Sequence, residues 1–170
     1  VICGMGLSPD VVELTLKHLR IGAERGGRTL ADLDIWAMAR VNVGTDRAAL
    51  IDEVRMELAS TAHHAFRFTL EGKLIPPGLT SAIERVQSGY KPAHHEDLGE
   101  SPTARLMDDP ELLAYMAGRF AVLGEPEECA EQIQRIRAAG FQKILFTGFV
   151  NDRAGLIETL GRDVFPLCRN

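Results

Sequence analysis

Three short apolar runs in the chain are each followed by a loop of small residues and a signal for the start of a helix. The runs lie at residues 1–3, 33–39 and 143–146, and the helix starts are marked by Ser8-Pro9 and Asn151-Asp152, with Thr45-Asp46 between them. A buried strand, a loop and a capped helix in this order form the repeating unit of parallel α/β proteins. Because such folds carry their chemistry where strands end and helices begin, we expect a site at these three loops.

The segments between the runs show helical periodicity. Apolar residues recur at three- and four-residue spacing, and prolines, acids and glycines stand where helices begin and end. These patterns predict helices over about residues 9–25, 45–58, 125–140 and 153–164. The strand predicted over residues 33–43 is apolar on both faces, which is typical of a strand covered on each side.

The regular alternation is interrupted over residues 60–119, which contain no convincing strand. Helix-start signals at Pro76-Pro77 and Asp109-Pro110 predict a helical insertion, and the polar stretch 91–103 predicts a long surface loop. Long insertions of this kind are often functional lids. We therefore predict one domain over residues 1–170, an α/β fold with a helical insertion.

The composition is that of an ordinary soluble protein. The 170 residues are 45% hydrophobic and 25% charged, with a formal net charge of −5. Without a basic block or a long apolar run, neither nucleic acid nor a membrane is expected as a partner. The three cysteines are widely spaced, which predicts buried thiols in a reducing, cytoplasmic compartment and no zinc site.

The first residue is Val1, which already has the pattern of a buried strand. We therefore expect the sequence to be part of a longer protein. An isolated flavodoxin-like nucleotide binder is a weaker interpretation, because it requires a self-sufficient sheet and only three strands are predicted in 170 residues.

The chain resembles the luciferase-like flavin enzymes at both ends. Residues 122–133, which contain Gly124-Glu125-Pro126-Glu127-Glu128, resemble the closing signature of that family together with residues 138–148. Residues 1–12 resemble the family's sixth strand and helix, and residues 33–41 resemble its seventh strand. The resemblance is greatest to the branch that contains the coenzyme F420-dependent methylenetetrahydromethanopterin reductases.

This resemblance implies the C-terminal part of a (β/α)8 TIM barrel, with strands six, seven and eight and an insertion after the seventh. It implies an oxidoreductase that transfers hydride between reduced coenzyme F420 and a small organic substrate. An FMN-dependent monooxygenase of the same family is the alternative, and no residue separates F420 from FMN. The implied partners are the missing N-terminal half of the barrel and further copies of the chain in a homo-oligomer.

Six residues are candidates for binding the cofactor. The resemblance assigns cofactor contact to Gly4, Met5 and Gly6 in the loop after the first strand, where glycines also serve a tight turn. Arg40, at the end of the second strand, is suited to a phosphate or carboxylate, or to an ion pair with an acid such as Asp46. The third loop adds Thr147 and Gly148 as an anion or ring-edge site, although Asp152 already places a carboxylate at the next helix start.

His63 and His64 are candidates for contact with the substrate, because the family's insertion folds over the pocket. Adjacent histidines on a helix point about 100° apart, so one pair rarely supplies two metal ligands. The second pair, His94-His95 with nearby acids, is no better placed, and we predict no metal site. Packing against Phe66 and Phe68 is the alternative role for His63 and His64.

A function of another class is also open. Three parallel strands leave unpaired edges that need covering. The chain is therefore also consistent with a non-catalytic α/β unit that docks onto a partner.

Overall fold

The apolar runs form a parallel sheet in the computed structural model, which describes residues 1–94 and 101–169. Every strand pairing is parallel, and one long central strand pairs with three shorter ones. The strands are β1 (Ile2–Cys3), β2 (Trp36–Val43), β3 (Ala121–Gly124) and β4 (Lys143–Thr147). The predicted α/β class with a parallel sheet is therefore confirmed.

The central strand β2 carries a different neighbour on each of its edges. β4 pairs along residues 36–40 of β2, from Trp36↔Lys143 to Arg40↔Thr147. β1 pairs with the first two residues of β2, and β3 pairs with its last four. Both β1 and β3 pair with residues of β2 that also pair with β4, so β1 and β3 must lie on the edge of β2 opposite β4. The three predicted strand–loop–helix units thus lie side by side, with β2 in the middle.

The strand β3 was not predicted. Ala121–Gly124 follows directly on a helix, and all four of its residues are buried. A short apolar run that continues a helical pattern cannot be separated from that helix by periodicity. The expectation of three strands was therefore wrong, although the described part of residues 60–119 contains no strand, as predicted.

Seven α-helices connect and cover the strands in the described residues. Asp46, Asp109 and Asp152 cap three of them through side-chain hydrogen bonds to backbone N–H groups, the role expected of Asp at this position. The predicted final helix is shorter and continues as a π turn over Leu160–Val164. The helices are α1 (Pro9–Arg25), α2 (Arg47–Glu53), α3 (Arg55–Phe66), α4 (Thr80–Gly89), α5 (Pro110–Phe120), α6 (Pro126–Ala138) and α7 (Arg153–Thr159).

Two hydrophobic clusters stabilise the fold. One lies on the helix side of the sheet, where Ala37, Ala39 and Val41 of β2 pack with residues of α1 and α6. The other lies within the insertion, where α2 to α5 pack around Phe66 and Phe120 and reach β3. The insertion therefore has its own core and is fixed to the end of the sheet.

The sheet is open, with four strands. In the part of the chain that the structure describes, β1 and β4 each pair with β2 alone, and Val1 and Ile2 are more than half exposed. No helix among the described residues is long and apolar enough to span a membrane. The predicted surface loop 91–103 lies partly outside the described residues. Ser101 and Thr103 at its end are buried, so this end of the segment is not on the surface as predicted.

Candidate functional site

The opposite face of β2 leads to the candidate site. Trp36, Met38 and Arg40 alternate with the buried alanines and are only partly covered. Gly4, which follows β1, lies close to this face, since a Cβ there would stand 2.9 Å from Met38 Cε. Arg40 is paired in register with Thr147. Gly4 and Thr147 thus lie where β1 and β4 end. Arg40 is the fifth of the eight residues of β2, which continues to Val43, so the prediction that Arg40 ends its strand is wrong.

Arg40 is held in a buried polar cluster. Its Nε and Nη2 donate to Thr61 Oγ1 at 2.9 and 2.7 Å, and its Nη1 donates to Thr147 Oγ1. Its Nε lies 3.6 Å from Glu57 Oε1, and the two side chains are 13% and 5% exposed. Burial lowers the pKa of Arg40 and the charge of Glu57 opposes that shift. The guanidinium is nevertheless charged, as arginine is in proteins.

These contacts bear on the two roles expected of Arg40. The structure contains an ion pair with an acid, but the acid is Glu57 of α3, whereas Asp46 caps α2. An incoming phosphate or carboxylate would compete with Glu57 for the charge of Arg40. Anion binding by Arg40 and Thr147 therefore stays a prediction, and the structure identifies the group with which the anion would compete.

Two carboxylates of the insertion hold the loop that contains Gly148. Glu57 Oε2 accepts from the backbone N–H of Phe149 at 3.0 Å, and Glu53 Oε1 accepts from that of Asn151 at 2.7 Å. Glu53 also accepts from Asn42 Nδ2 at 2.8 Å. The end of β2 and the loop after β4 are thus joined through α2 and α3.

The sequence analysis missed both glutamates. Their spacing of four residues, which places side chains on one side of a helix, was a usable signal. Glu57 is 4% exposed, and no sequence rule marks a carboxylate among apolar residues as buried.

The helix start after β4 is already occupied by a carboxylate. Asp152 accepts from the backbone N–H of Gly155 at 2.9 Å. A polar cavity of about 340 Å³ beside it is lined by Asn42 and Asn151, and also by the acids Glu53 and Asp152. Two carboxylates disfavour an anion at this place. The structure therefore gives a geometric reason why Asp152 disfavours an anion at this helix start.

The loop after β1 is clamped by a residue that the sequence analysis did not select. Arg119 of α5 donates through Nε to the carbonyl oxygen of Met5 at 3.0 Å, and its own carbonyl accepts from the N–H of Leu7 at 2.7 Å. Gly6 has φ +130°, and a Cβ there would lie 2.8 Å from Arg119 Cγ. Only glycine adopts this conformation readily, so Gly6 is required by the clamp itself. No sequence signal distinguished Arg119 from a solvated arginine.

The two candidate substrate histidines lie on α3. His63 stacks on Tyr90 with ring centroids 4.2 Å apart, so its aromatic partner is neither Phe66 nor Phe68. Its Nδ1 is buried and has no hydrogen-bond partner among the described residues. Burial lowers the pKa of His63, and the charges of His64 and Arg67 add to this. A neutral ring therefore predominates at pH 7, and contact with a substrate stays a prediction for both histidines.

The cysteines are free thiols. Cys3 and Cys129 are buried, and burial raises the pKa of Cys129 to about 11. The described residues contain no cluster of three side chains able to hold a metal ion. This finding does not cover His94-His95 with its nearby acids, because residues 95–97 lie outside the described residues.

Comparison with known proteins finds a matching family model and two solved structures of similar fold. The model of a family described as luciferase-like monooxygenase matches residues 1–143. This finding confirms the resemblance stated from the sequence.

Two solved structures are similar over almost the whole chain. The coenzyme F420 dependent tetrahydromethanopterin reductase from Methanopyrus kandleri has 19% identity and a TM-score of 0.58, over 95% of this chain and 43% of that one. An F420-dependent secondary alcohol dehydrogenase in complex with an F420-acetone adduct has 15% identity and a TM-score of 0.62, over 97% of this chain and 42% of that one. At these identities the likeness concerns the fold, and the chain spans less than half the length of either structure.

Proposed function

Because the chain belongs to the luciferase-like monooxygenase family, we propose that it forms strands six, seven and eight of a (β/α)8 oxidoreductase. In this proposal β1, β2 and β4 are those three strands, and the helices α3 to α5 form the insertion after the seventh. The reaction proposed is hydride transfer between reduced coenzyme F420 and a small organic substrate.

One observation carries the proposal. β1 and β4 both pair with β2 in parallel, Gly4 after β1 approaches Met38 of β2, and Arg40 of β2 is in register with Thr147 at the end of β4 and donates to it. The carboxyl ends of the strands are where barrel enzymes of this type have their active sites. Strands arranged antiparallel or in separate sheets would have scattered these residues.

The open edges support a partner that completes the barrel. Within the described residues, β1 and β4 leave one edge each unpaired, and exposed strand edges are normally covered in native proteins. We propose that the N-terminal half of a barrel covers them and supplies much of the substrate pocket. The proposed homo-oligomer is tested by light scattering on the complete protein.

The residues present fit a planar cofactor ring. Trp36, Met38 and Leu145 form a partly exposed apolar surface on one face of the sheet, beside the partly exposed residues Gly4 and Met5. Such a surface can bind and orient a ring and exclude water from it, while the ring supplies the hydride chemistry when bound. F420 is preferred to FMN because both structural neighbours are F420-dependent.

The protein's own contribution lies in binding and positioning. Arg119 fixes the carbonyl of Met5, so the loop presented to the ring is preorganised. Glu57 holds both Arg40 and the loop after Thr147, so the insertion and the strand ends move together. We place the substrate between the ring and the insertion, with His63 and His64 as its proposed contacts.

The test is a titration of the full-length protein with F420 and with FMN, followed by fluorescence. We expect saturable binding of F420, followed by oxidation of reduced F420 when a hydride acceptor is added, either a ketone such as acetone, which becomes the alcohol, or a methylenetetrahydropterin, whose methylene group becomes a methyl group. Binding of FMN alone, with oxygen consumption, would instead identify the monooxygenase. Binding of neither cofactor would refute the enzyme assignment and favour a docking unit.

A further inference from the structure

A cavity of about 350 Å³ lies beside the clamped loop, between α1 and the segment that contains Lys73. It is lined by apolar residues of α1, including Val11 and Leu14, and by Met5, Lys73 and Arg119. Its volume falls within the range of small-molecule sites, about 300 to 1,000 Å³, which are mostly apolar with a few placed polar groups. Apart from Met5, it includes none of the residues assigned above to the cofactor or substrate.

Arg119 is a buried cation that forms no salt bridge within the described residues. Its charge reaches Asp10 of α1, whose pKa is lowered mainly by a hydrogen bond with Ser8 and in part by Arg119. Arg119 is 4% exposed, and no carboxylate of the described residues lies within 4.0 Å of its guanidinium. It donates instead to the carbonyls of Met5 and Leu74 and to the hydroxyl of Tyr115. No hydrogen bond within the described residues uses its Nη2. The rings of Phe66, Tyr115 and Phe120 face the guanidinium and stabilise part of its charge, and an anion in the adjoining cavity would stabilise it further.

Lys73 is a second cation on the same wall. Its Nζ donates to the carbonyls of Ala65 and Arg67, at 2.8 and 2.9 Å, and no described carboxylate forms an ion pair with it. Burial lowers the pKa of Lys73, and the charges of Arg119 and Arg67 lower it further. One side of the cavity therefore carries two cationic side chains, while α1 contributes mainly apolar ones, together with Thr15 and His18.

We propose that this cavity binds a small molecule that has an apolar body and one carboxylate. The body would lie against Val11 and Leu14, and the carboxylate would accept from the unused donors of Arg119 and Lys73. Because such a ligand would also touch Met5, it would contact the clamped loop that the proposed cofactor site also uses. The inference stands on the cavity alone and does not require the proposed function.

The test uses octanoate and octanamide, which have the same size and differ in charge. Binding to the full-length, cofactor-free protein is measured by isothermal titration calorimetry. We expect octanoate to bind about tenfold tighter than octanamide, since charge-assisted hydrogen bonds are the stronger ones. Saturating F420 should leave the affinity for octanoate within about twofold, because a ligand of a separate site is not displaced.

Three variants locate the binding. Leu14→Trp should fill the cavity and abolish octanoate binding, and circular dichroism checks that this variant is folded. Lys73→Met should weaken octanoate about tenfold, the effect of losing one charged hydrogen bond, and leave octanamide unchanged. Lys17→Met is the matched control, because Lys17 lies on α1, is exposed and does not line the cavity.

Several results would overturn the proposal. These are equal affinities for octanoate and octanamide, undiminished binding to folded Leu14→Trp, and displacement of octanoate by F420. The last would mean that octanoate occupies the cofactor site. Failure of F420 to bind would refute the proposed function and leave this test intact.

Discussion

Glu57→Gln is expected to destabilise the protein by about 3 kcal/mol, because it removes a buried negative charge on which three groups depend. Glu57 faces the guanidinium of Arg40 and accepts from the Thr147 hydroxyl and the N–H of Phe149. Both side chains of the ion pair are almost fully buried, so water does not screen their interaction. The amide of glutamine keeps one acceptor, but its NH₂ replaces an oxygen that accepts hydrogen bonds.

The size of this effect follows from the partners that are lost. Breaking a buried ion pair costs about 3 to 5 kcal/mol when the other charge is left unpaired. Arg40 keeps its hydrogen bonds to the hydroxyls of Thr61 and Thr147, which places the expected cost at the low end of this range. The measurement is urea unfolding of the full-length protein, followed by circular dichroism.

A double-mutant cycle separates the ion pair from the other contacts of Glu57. Arg40→Met removes the cation, so Glu57→Gln in that background should cost about 1 to 3 kcal/mol less than in the wild type. The matched control is Glu84→Gln, at an exposed position of α4, which should change the unfolding free energy by less than about 0.5 kcal/mol. A loss below 1 kcal/mol for Glu57→Gln, or strict additivity in the cycle, would show that this cluster is not energetically coupled.

Three further outcomes are expected. Gly6→Ala should lower the free energy of unfolding, measured in urea, by at least about 1 kcal/mol, because φ is +130° and the added Cβ would meet Arg119. The control Gly22→Ala adds a methyl group in open space on α1 and should raise that free energy by about 0.5 kcal/mol. The lowered pKa of His63 means that the folded state favours the neutral imidazole, so protonation at low pH favours unfolding. The melting temperature of the wild type should therefore fall relative to that of His63→Phe as the pH drops below 6.5. A difference in melting temperature that stays constant between pH 7 and pH 5 would contradict this. In native protein at pH 8, iodoacetamide should modify partly exposed Cys168 about tenfold faster than buried Cys129, whose pKa is about 11, and mass spectrometry would reveal the opposite order.

Several elements were predictable because their signals are local. Asp109 before Pro110 marks the start of α5, and Gly140 follows the end of α6. The strand β2 was placed correctly in its core but starts three residues later than predicted, at Trp36, after a short 3₁₀ turn. Segment ends depend on hydrogen bonds with neighbouring strands, which periodicity does not report.

The strand residues of the candidate site could be predicted, but their contacts with distant segments could not. Thr147 could be placed at a strand end and Arg40 on the neighbouring strand, because topology follows from the order of strands and helices, although β2 continues three residues beyond Arg40. That Glu57 pairs with Arg40, and that Arg119 clamps Met5, depends on how the insertion packs on the sheet. These residues are 90 or more positions from some of their partners, and a single sequence contains no trace of such contacts.

The amino-acid sequence alone determined the parallel α/β class, the order of the three strand–loop–helix units and the family, because apolar periodicity, caps and short motifs are properties of neighbouring residues. The tertiary structure alone decided that β3 joins the edge of β2, that the buried Glu57 faces Arg40, and that Arg119 clamps the loop after β1. The physical reason is that burial and charge pairing arise only when distant segments pack together and exclude water.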